Sequence, residues 1–253
     1  NEISLKHNEG YFNHNVQSVR NLMVIENNGK GLNLSVQVLD GILCHNGELE
    51  LQEYRPKKKT TEDFLNDYNN CYNVPKYVKT LVPMTLEGCV VRLSDIIAYL
   101  GRDIEDAEKL GLFNKKDIPK EISDILGTTN REIINAIITN VVQNSLDKDY
   151  ICVDDKIFNA IVNLKKFNYE NIYDKIYTNK ELDEIKYKFE YLFDNLLISL
   201  KEKDLNSKIY SKFYLPMNND YKNNTSNERV VIDYIAGMTD EYFLNEYKHY
   251  ELR

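Results

Sequence analysis

One predicted helix carries three aspartates and a tyrosine at helical spacing, Asp95, Tyr99, Asp103 and Asp106. At about 100° per residue, these side chains fall within roughly 80° of one another around the helix. Hard divalent cations prefer carboxylate oxygens as ligands, but one helix face supplies too few of them for a complete metal site. The spacing alone therefore favours a solvated edge, on which Arg92 pairs with Asp95 or Asp103.

A second polar cluster lies near the start of the chain, in the segment YFNHNVQSVR. His14, Gln17 and Ser18 share one face of a predicted helix, because they follow the i, i+3, i+4 spacing. Asn15 and Arg20 lie beside them in the sequence. The pattern alone favours polar capping of the helix start, with the arginine exposed.

Apolar side chains recur at helical spacing over most of the chain. The pattern predicts helices at 15–26, 34–47, 61–75, 85–111, 129–146, 154–173, 179–204 and 229–250. Strand alternation is limited to a short strand or β-hairpin at 46–54. The sequence therefore predicts an all-α fold in a single helical unit, with at most one short hairpin.

The composition narrows the class of protein. The chain has 253 residues, of which 42% are hydrophobic and 28% are charged, values typical of a soluble globular protein. A net charge of -8 argues against an extended nucleic-acid groove, so single-stranded DNA as a partner has no support from charge. The sequence contains neither a signal-peptide pattern nor an apolar run of about 20 residues that could span a membrane. A cytoplasmic protein without membrane partners is expected.

Four segments, in order along the chain, resemble the deoxynucleoside triphosphate triphosphohydrolases, the dGTPase family of the HD-domain superfamily. FNHNVQSVR is similar to the family's F-x-H-N-x-Q-S-x-R, and GLNLSVQVLDGI to its G-L-N-L-T-x-x-x-L-E-G-I. LEGCVVRLSDIIAYLGRDIEDA resembles L-E-x-Q-V-V-x-x-A-D-x-I-A-Y-x-x-H-D-I-x-D-A, and VIDYIAGMTDEY resembles D-Y-I-A-G-M-T-D-x-Y. The resemblance implies an HD-like helical fold and the hydrolysis of a dNTP, with dGTP as the expected substrate, to the deoxynucleoside and tripolyphosphate.

The resemblance also implies roles for the aspartate helix. Asp95 matches the last ligand of the family's H…HD…D metal set, which would hold Mn²⁺ or Mg²⁺. Tyr99 and Asp103 match positions that contact the sugar and phosphate end of the nucleotide. A tyrosine ring can pack on a deoxyribose, where it would clash with a 2′-hydroxyl. Asp106 matches no such position and is expected to be structural.

The same resemblance implies a role for the first polar cluster. His14 matches a histidine that lies at the reacting phosphate and is the expected catalytic residue. Asn15, Gln17 and Arg20 match positions around it and are expected to bind the substrate. Such cationic and hydrogen-bonding groups can stabilise charge that develops on a phosphate during hydrolysis.

The most serious departure of the sequence from the family concerns the metal ligands, and a smaller one is Arg102, where the family often has histidine. The family's first metal histidine, its His-Asp pair and its H-x-x-E motif have no counterpart among the four histidines of this chain. The chain is therefore expected to be the C-terminal, larger part of the enzyme and inactive alone, with an N-terminal segment or a second chain supplying the other ligands. In this interpretation 1–113 is the remainder of the HD-type core, and 114–253 is a C-terminal helical part.

Two other functions are compatible with the sequence. The chain could be a non-catalytic helical subunit that senses nucleotides or pairs with an active HD-type hydrolase, or it could be a helical scaffold with neither property. For the enzyme, the resemblance implies the dNTP substrate and further copies of the same chain as partners, and symmetric assembly is common among enzymes of this size.

Overall fold

Helices make up nearly all the regular structure in the computed structural model, which describes residues 1–46, 51–173 and 178–252. In chain order they are α1 (Glu2–Lys6), α2 (His14–Arg20), α3 (Glu26–Gly29), α4 (Val36–Cys44), α5 (Thr61–Asn73), α6 (Leu86–Lys109), α7 (Lys120–Leu126), α8 (Asn130–Ser145), α9 (Asp155–Asn168), α10 (Asn179–Lys201), α11 (Asn219–Asn224), α12 (Asn227–Ala236) and α13 (Asp240–Glu251). Short 3-10 turns occur at Tyr77–Thr80 and Lys115–Asp117, and π turns at Asn21–Ile25, Tyr169–Tyr173 and Ile209–Tyr214. The prediction of an all-α fold is confirmed.

One two-stranded sheet accompanies the helices in the described part of the chain. Strand β1 (Glu53–Tyr54) pairs antiparallel with β2 (Ile151–Cys152), in the register Glu53 to Cys152 and Tyr54 to Ile151. The short strand expected at 46–54 is thus present at its C-terminal end, and its partner is distant in sequence. Residues 47–50 of the predicted hairpin lie outside the described residues.

The helix predicted at 229–250 is two helices. Helix α12 ends at Ala236 and is followed by Gly237, while α13 begins after Thr239. The Thr239 side chain accepts a hydrogen bond from the backbone N–H of Tyr242, which caps a new helix start. Apolar periodicity continued across this break and concealed it.

Contacts within the chain define two compact units that alternate along the sequence. The first unit consists of Asn1–Ser35, Asn66–Tyr77 and Asn179–Arg253, and the second of Val36–Leu65 and Val78–Thr178. These bounds differ from a division at residue 113, which stays a prediction. The predicted site residues are divided between the two units, since His14, Asn15, Gln17 and Arg20 belong to the first and Asp95, Tyr99 and Asp103 to the second.

The second unit is built around α6. The helix starts at Thr85, whose side chain accepts a hydrogen bond from the Gly88 N–H, and it buries one apolar face against α4, α8 and α9. Gly101 allows α8 to approach closely, because a Cβ atom there would lie 2.8 Å from the Cα of Asn130. Burial of the face that carries Leu93, Ile97 and Ile104 determines which face of α6 is left for a site.

The first unit has its own apolar core, formed by α10, α12 and α13 together with the turn at Ile209–Tyr214. Leu192, Leu196 and Val230 are among its fully buried side chains. Within the described residues of both units, every helix is too short or too polar to cross a membrane.

Candidate functional site

A cavity of about 210 Å³ opens between α6 and α9 in the second unit. Its walls come from both helices, from the turn that follows α9 and from the loop after α4. The lining residues are Asn46, Asp95, Ile96, Tyr99, Leu100, Asp103, Lys165, Asn168, Tyr169 and Tyr173. Polar and aromatic side chains therefore meet at one concave surface, next to the apolar core of this unit.

The α6 wall brings together the three residues of this helix for which the family resemblance implied roles. Asp95, Tyr99 and Asp103 are four residues apart, so they form one row along the helix, and all three line the cavity. The two carboxylates are half-buried, and the tyrosine ring is 59% exposed. The functional roles of these residues stay predictions.

Of two other residues of α6, Arg92 differs from the first expectation for this face and Asp106 does not. The Arg92 side chain is buried, and its Nη1 donates a hydrogen bond of 2.5 Å to the Leu81 carbonyl oxygen. Asp106 lies at the surface, with its Oδ2 3.7 Å from Arg102 Nε and its Oδ1 3.1 Å from Lys109 Nζ. Arg92 therefore packs in the interior, whereas Asp106 lies at the surface and its structural role stays a prediction.

The α9 wall contains residues that sequence reasoning missed. Lys165, Tyr169 and Tyr173 are also four residues apart, and the two tyrosine rings lie 5.1 Å apart between centroids. Asp95, Tyr99 and Asp103 follow the same i, i+4, i+8 spacing on α6. Periodicity in the predicted helix 154–173 could have revealed this second row, but not that it faces the first.

A hydrogen bond joins the two walls, since the Tyr173 hydroxyl donates to Oδ2 of Asp103. Burial raises the pKa of Asp103 above its ordinary value, as does the nearby charge of Asp106, while the bond from Tyr173 acts in the opposite direction. Burial and the Asp103 carboxylate raise the pKa of Tyr173, so its hydroxyl stays protonated and acts as the donor. Lys165 supplies the positive charge among the lining residues.

These groups suit a ligand with a sugar and an anionic group. Carboxylates accept hydrogen bonds from hydroxyls, tyrosine rings pack against a sugar, and an ammonium attracts phosphate. They do not form a metal site by themselves. Among the described residues, no three His, Cys, Asp or Glu side chains lie close enough to hold a metal ion, so Asp95 could provide one ligand of several.

The polar residues of α2 lie in a different setting, in the first unit. The Arg20 guanidinium forms a two-pronged ion pair with Asp233 of α12, with Nε 2.7 Å from Oδ1 and Nη2 2.8 Å from Oδ2. Gln17 Nε2 donates to Oδ1 at 3.0 Å, and the Tyr221 hydroxyl donates to Oδ2 at 2.9 Å. Asp233 is 2% exposed, and burial raises the pKa of Tyr221. Gln17 and Arg20 thus hold α2 against α12.

The remaining two residues of this set lie at the start of α2. His14 is its first residue and is exposed, whereas Asn15 is fully buried. The structure therefore places an exposed imidazole beside a buried polar network. The catalytic role of His14 and the substrate-binding roles of Asn15, Gln17 and Arg20 stay predictions.

Comparisons with known proteins agree with the motifs. Residues 151–249 match the model of the phosphohydrolase-associated domain. The chain is 35% identical over 246 residues, 94% of its length, to a deoxyguanosinetriphosphate triphosphohydrolase-like protein of Clostridium perfringens (strain SM101 / Type A). A protein of the same description from Caldanaerobacter subterraneus subsp. tengcongensis is 33% identical over 98% of the chain. The predicted resemblance to the dGTPase family is confirmed.

The extent of the match limits what can be transferred from these dGTPase-like relatives. The chain spans about 60% of the length of the Clostridium and Caldanaerobacter proteins. It spans 68% of a dGTPase-like protein from Pelagibacter ubique, at 28% identity. The activity and the metal requirement of those whole proteins are therefore matters for a proposal about this chain.

Replacing Asp233 tests whether the α2 residues are structural. In Asp233→Asn the half-buried Arg20 guanidinium loses its anionic partner, so we expect the free energy of unfolding to fall by about 3 kcal/mol. Urea denaturation measures this change. Asp194→Asn, at an exposed position of α10, is the control and should change stability by less than about 0.5 kcal/mol. Equal stabilities of the two variants would contradict the structural role.

The hydrogen bond from Tyr173 to Asp103 leads to a prediction about the pKa of Asp103. Tyr173→Phe removes a donor that stabilises the ionised carboxylate, so the pKa of Asp103 should rise further above its ordinary value. Carboxyl ¹³C NMR followed over pH measures it. Tyr169→Phe, in the same cavity, should leave the pKa of Asp103 where it is. A pKa that does not move in Tyr173→Phe would show that the hydrogen bond is not formed in solution.

Proposed function

We propose that this chain is the nucleotide-binding part of a deoxynucleoside triphosphate triphosphohydrolase, and that the cavity between α6 and α9 binds the sugar and the adjoining phosphate of the nucleotide. The observation that carries the proposal is the convergence of Asp95, Tyr99 and Asp103 with Lys165 at one cavity. The relatives' description as deoxyguanosinetriphosphate triphosphohydrolase-like proteins makes dGTP the proposed substrate.

The volume of the cavity supports the proposal that it binds only the sugar and the adjoining phosphate of the nucleotide. Pockets that enclose a whole small-molecule ligand have volumes of roughly 300 to 1,000 Å³. A cavity of about 210 Å³ is smaller than that, so we propose that it holds only the deoxyribose and one phosphate. The base and the distal phosphates would extend beyond the lining residues described above.

Each wall then has a distinct task. On α6, Tyr99 packs against the deoxyribose, and the Asp103 carboxylate, held by Tyr173, accepts a hydrogen bond from a sugar hydroxyl. On α9, the Lys165 ammonium neutralises phosphate charge in a partly desolvated site, where the attraction is stronger than in bulk water. The two walls together select a ligand that presents a sugar and a phosphate in adjacent positions.

Hydrolysis requires more than these residues. A divalent cation, Mn²⁺ or Mg²⁺ by the family resemblance, would polarise the reacting phosphate and acidify a water molecule. Asp95 alone does not hold such an ion, because a hard cation needs several oxygen or nitrogen ligands. We therefore propose that Asp95 is one ligand of a site whose other ligands lie outside the described residues.

Lys165 provides the sharpest test of binding. Lys165→Met removes the positive charge of the cavity and keeps most of the side-chain volume, so the affinity for dGTP should fall by about tenfold, equivalent to one charge-assisted hydrogen bond. Isothermal titration calorimetry measures the dissociation constant.

The neighbouring lysine is the control for this test. Lys166 lies on α9 but points to Glu170, with its Nζ 3.8 Å from that carboxylate, and it is exposed. Lys166→Met should bind dGTP like the unmodified chain. Equal losses in both variants would mean that the cavity does not hold the phosphate. An unmodified chain that binds no dGTP would overturn the proposed function.

Catalysis by the chain alone is a separate prediction. With dGTP and Mn²⁺, the 253-residue chain should release no tripolyphosphate, because the described residues do not complete a metal site. Anion-exchange chromatography against a tripolyphosphate standard measures the product. Turnover that disappears in Asp95→Ala would contradict this prediction, since the chain would then hold a complete active site.

A further inference from the structure

Asn168 is the buried polar residue of the cavity. It is the last residue of α9, one turn after Lys165 and directly before Tyr169, and its side chain is 2% exposed. Apolar core residues of α6 and α9 surround this level of the helix pair. An asparagine in such a place forgoes the apolar burial that a leucine would gain, so its amide group needs an explanation.

The amide connects the two walls on their buried side. Asn168 Nδ2 donates a hydrogen bond of 3.1 Å to the backbone carbonyl oxygen of Leu100. Leu100 follows Tyr99 on α6 and precedes Asp103 by three residues. The bond therefore fixes α9 against α6 at the level where the sugar-facing residues of the proposed site lie.

The oxygen of the Asn168 amide, unlike its nitrogen, does not connect the two walls. The Oδ1 atom of Asn168 is buried and has no hydrogen-bond partner among the described residues. A buried acceptor without a donor is unfavourable, and such groups are uncommon in folded proteins. The hydrogen bond from Nδ2 to the Leu100 carbonyl must therefore offset this cost.

We propose that Asn168 is a positioning residue for nucleotide binding, which holds the Lys165 wall at a set distance from the Tyr99 and Asp103 wall. The inference rests on the proposed function, because it assumes that one ligand contacts both walls. A ligand that spans two walls gains affinity when they are already at the right separation, whereas a ligand that contacts one wall does not. The effect of Asn168 should therefore depend on the length of the ligand.

Asn168→Leu tests this dependence. Leucine has a similar volume and suits the apolar surroundings, but it cannot donate to the Leu100 carbonyl. Calorimetry or competition NMR would measure binding of dGTP, which spans both walls, and of 2′-deoxyguanosine and inorganic tripolyphosphate, each of which contacts one. We expect the affinity for dGTP to fall by about tenfold and the other two to change by less than about twofold.

A second substitution and a stability measurement separate positioning from folding. Asn168→Ser is too short to reach Leu100, and it should reproduce the selective loss of dGTP affinity. Thermal unfolding of Asn168→Leu should show a melting temperature equal to or above that of the unmodified chain, because a buried unpaired oxygen has been replaced by a methyl group. Ile161→Val, in the core of α9 and away from the cavity, is the control for a slightly weakened helix pair and should bind all three ligands normally.

The outcomes are distinct. A loss confined to dGTP in both Asn168 variants supports the positioning role. Equal losses for all three ligands, or no loss at all, would overturn it while leaving the proposed function intact. If the unmodified chain binds none of the three ligands, the proposed function fails, and the positioning role fails with it.

Discussion

Leu93, Ile97, Leu100 and Ile104 are buried along one face of α6, and the candidate site depends on this burial. A helix that buries one face has no freedom to rotate, because turning it would expose several large apolar side chains at about 1.5 to 3 kcal/mol each. The row of Asp95, Tyr99 and Asp103 lies beside that face. Their directions are therefore set by the core of the second unit and not by any ligand.

The two polar sets differ in how far the protein itself satisfies them. Asp233 accepts hydrogen bonds from Arg20, Gln17 and Tyr221 inside the first unit, so these groups are engaged in holding helices together. In the cavity of the second unit, by contrast, an exposed tyrosine, half-buried carboxylates and a lysine surround an open volume. Groups of the second kind can exchange water for a ligand at little cost, which is why the cavity is the better candidate for binding.

Much of the α6 wall could be predicted from the sequence, because helical periodicity identifies residues that share a face. The α9 wall could not be predicted in the same way. Lys165 and Tyr173 are far from Asp95 in the sequence. Helical periodicity does not predict which helices become neighbours in space. The ion pair of Arg20 could not be predicted either, since its partner Asp233 is 213 positions away in the sequence.

The sequence by itself determined the all-α class, the positions of most of the long helices, the face of α6 that carries polar groups and the resemblance to the dGTPase family. These properties are local patterns or matches of short motifs, and both are present in the order of residues. Only the tertiary structure decided that α9 faces α6, that Tyr173 donates to Asp103, that the Asn168 amide reaches the Leu100 carbonyl, and that the chain forms two alternating units. Each of these depends on contacts between residues distant in sequence, which arise when apolar faces pack together and leave the polar groups at their edges in contact.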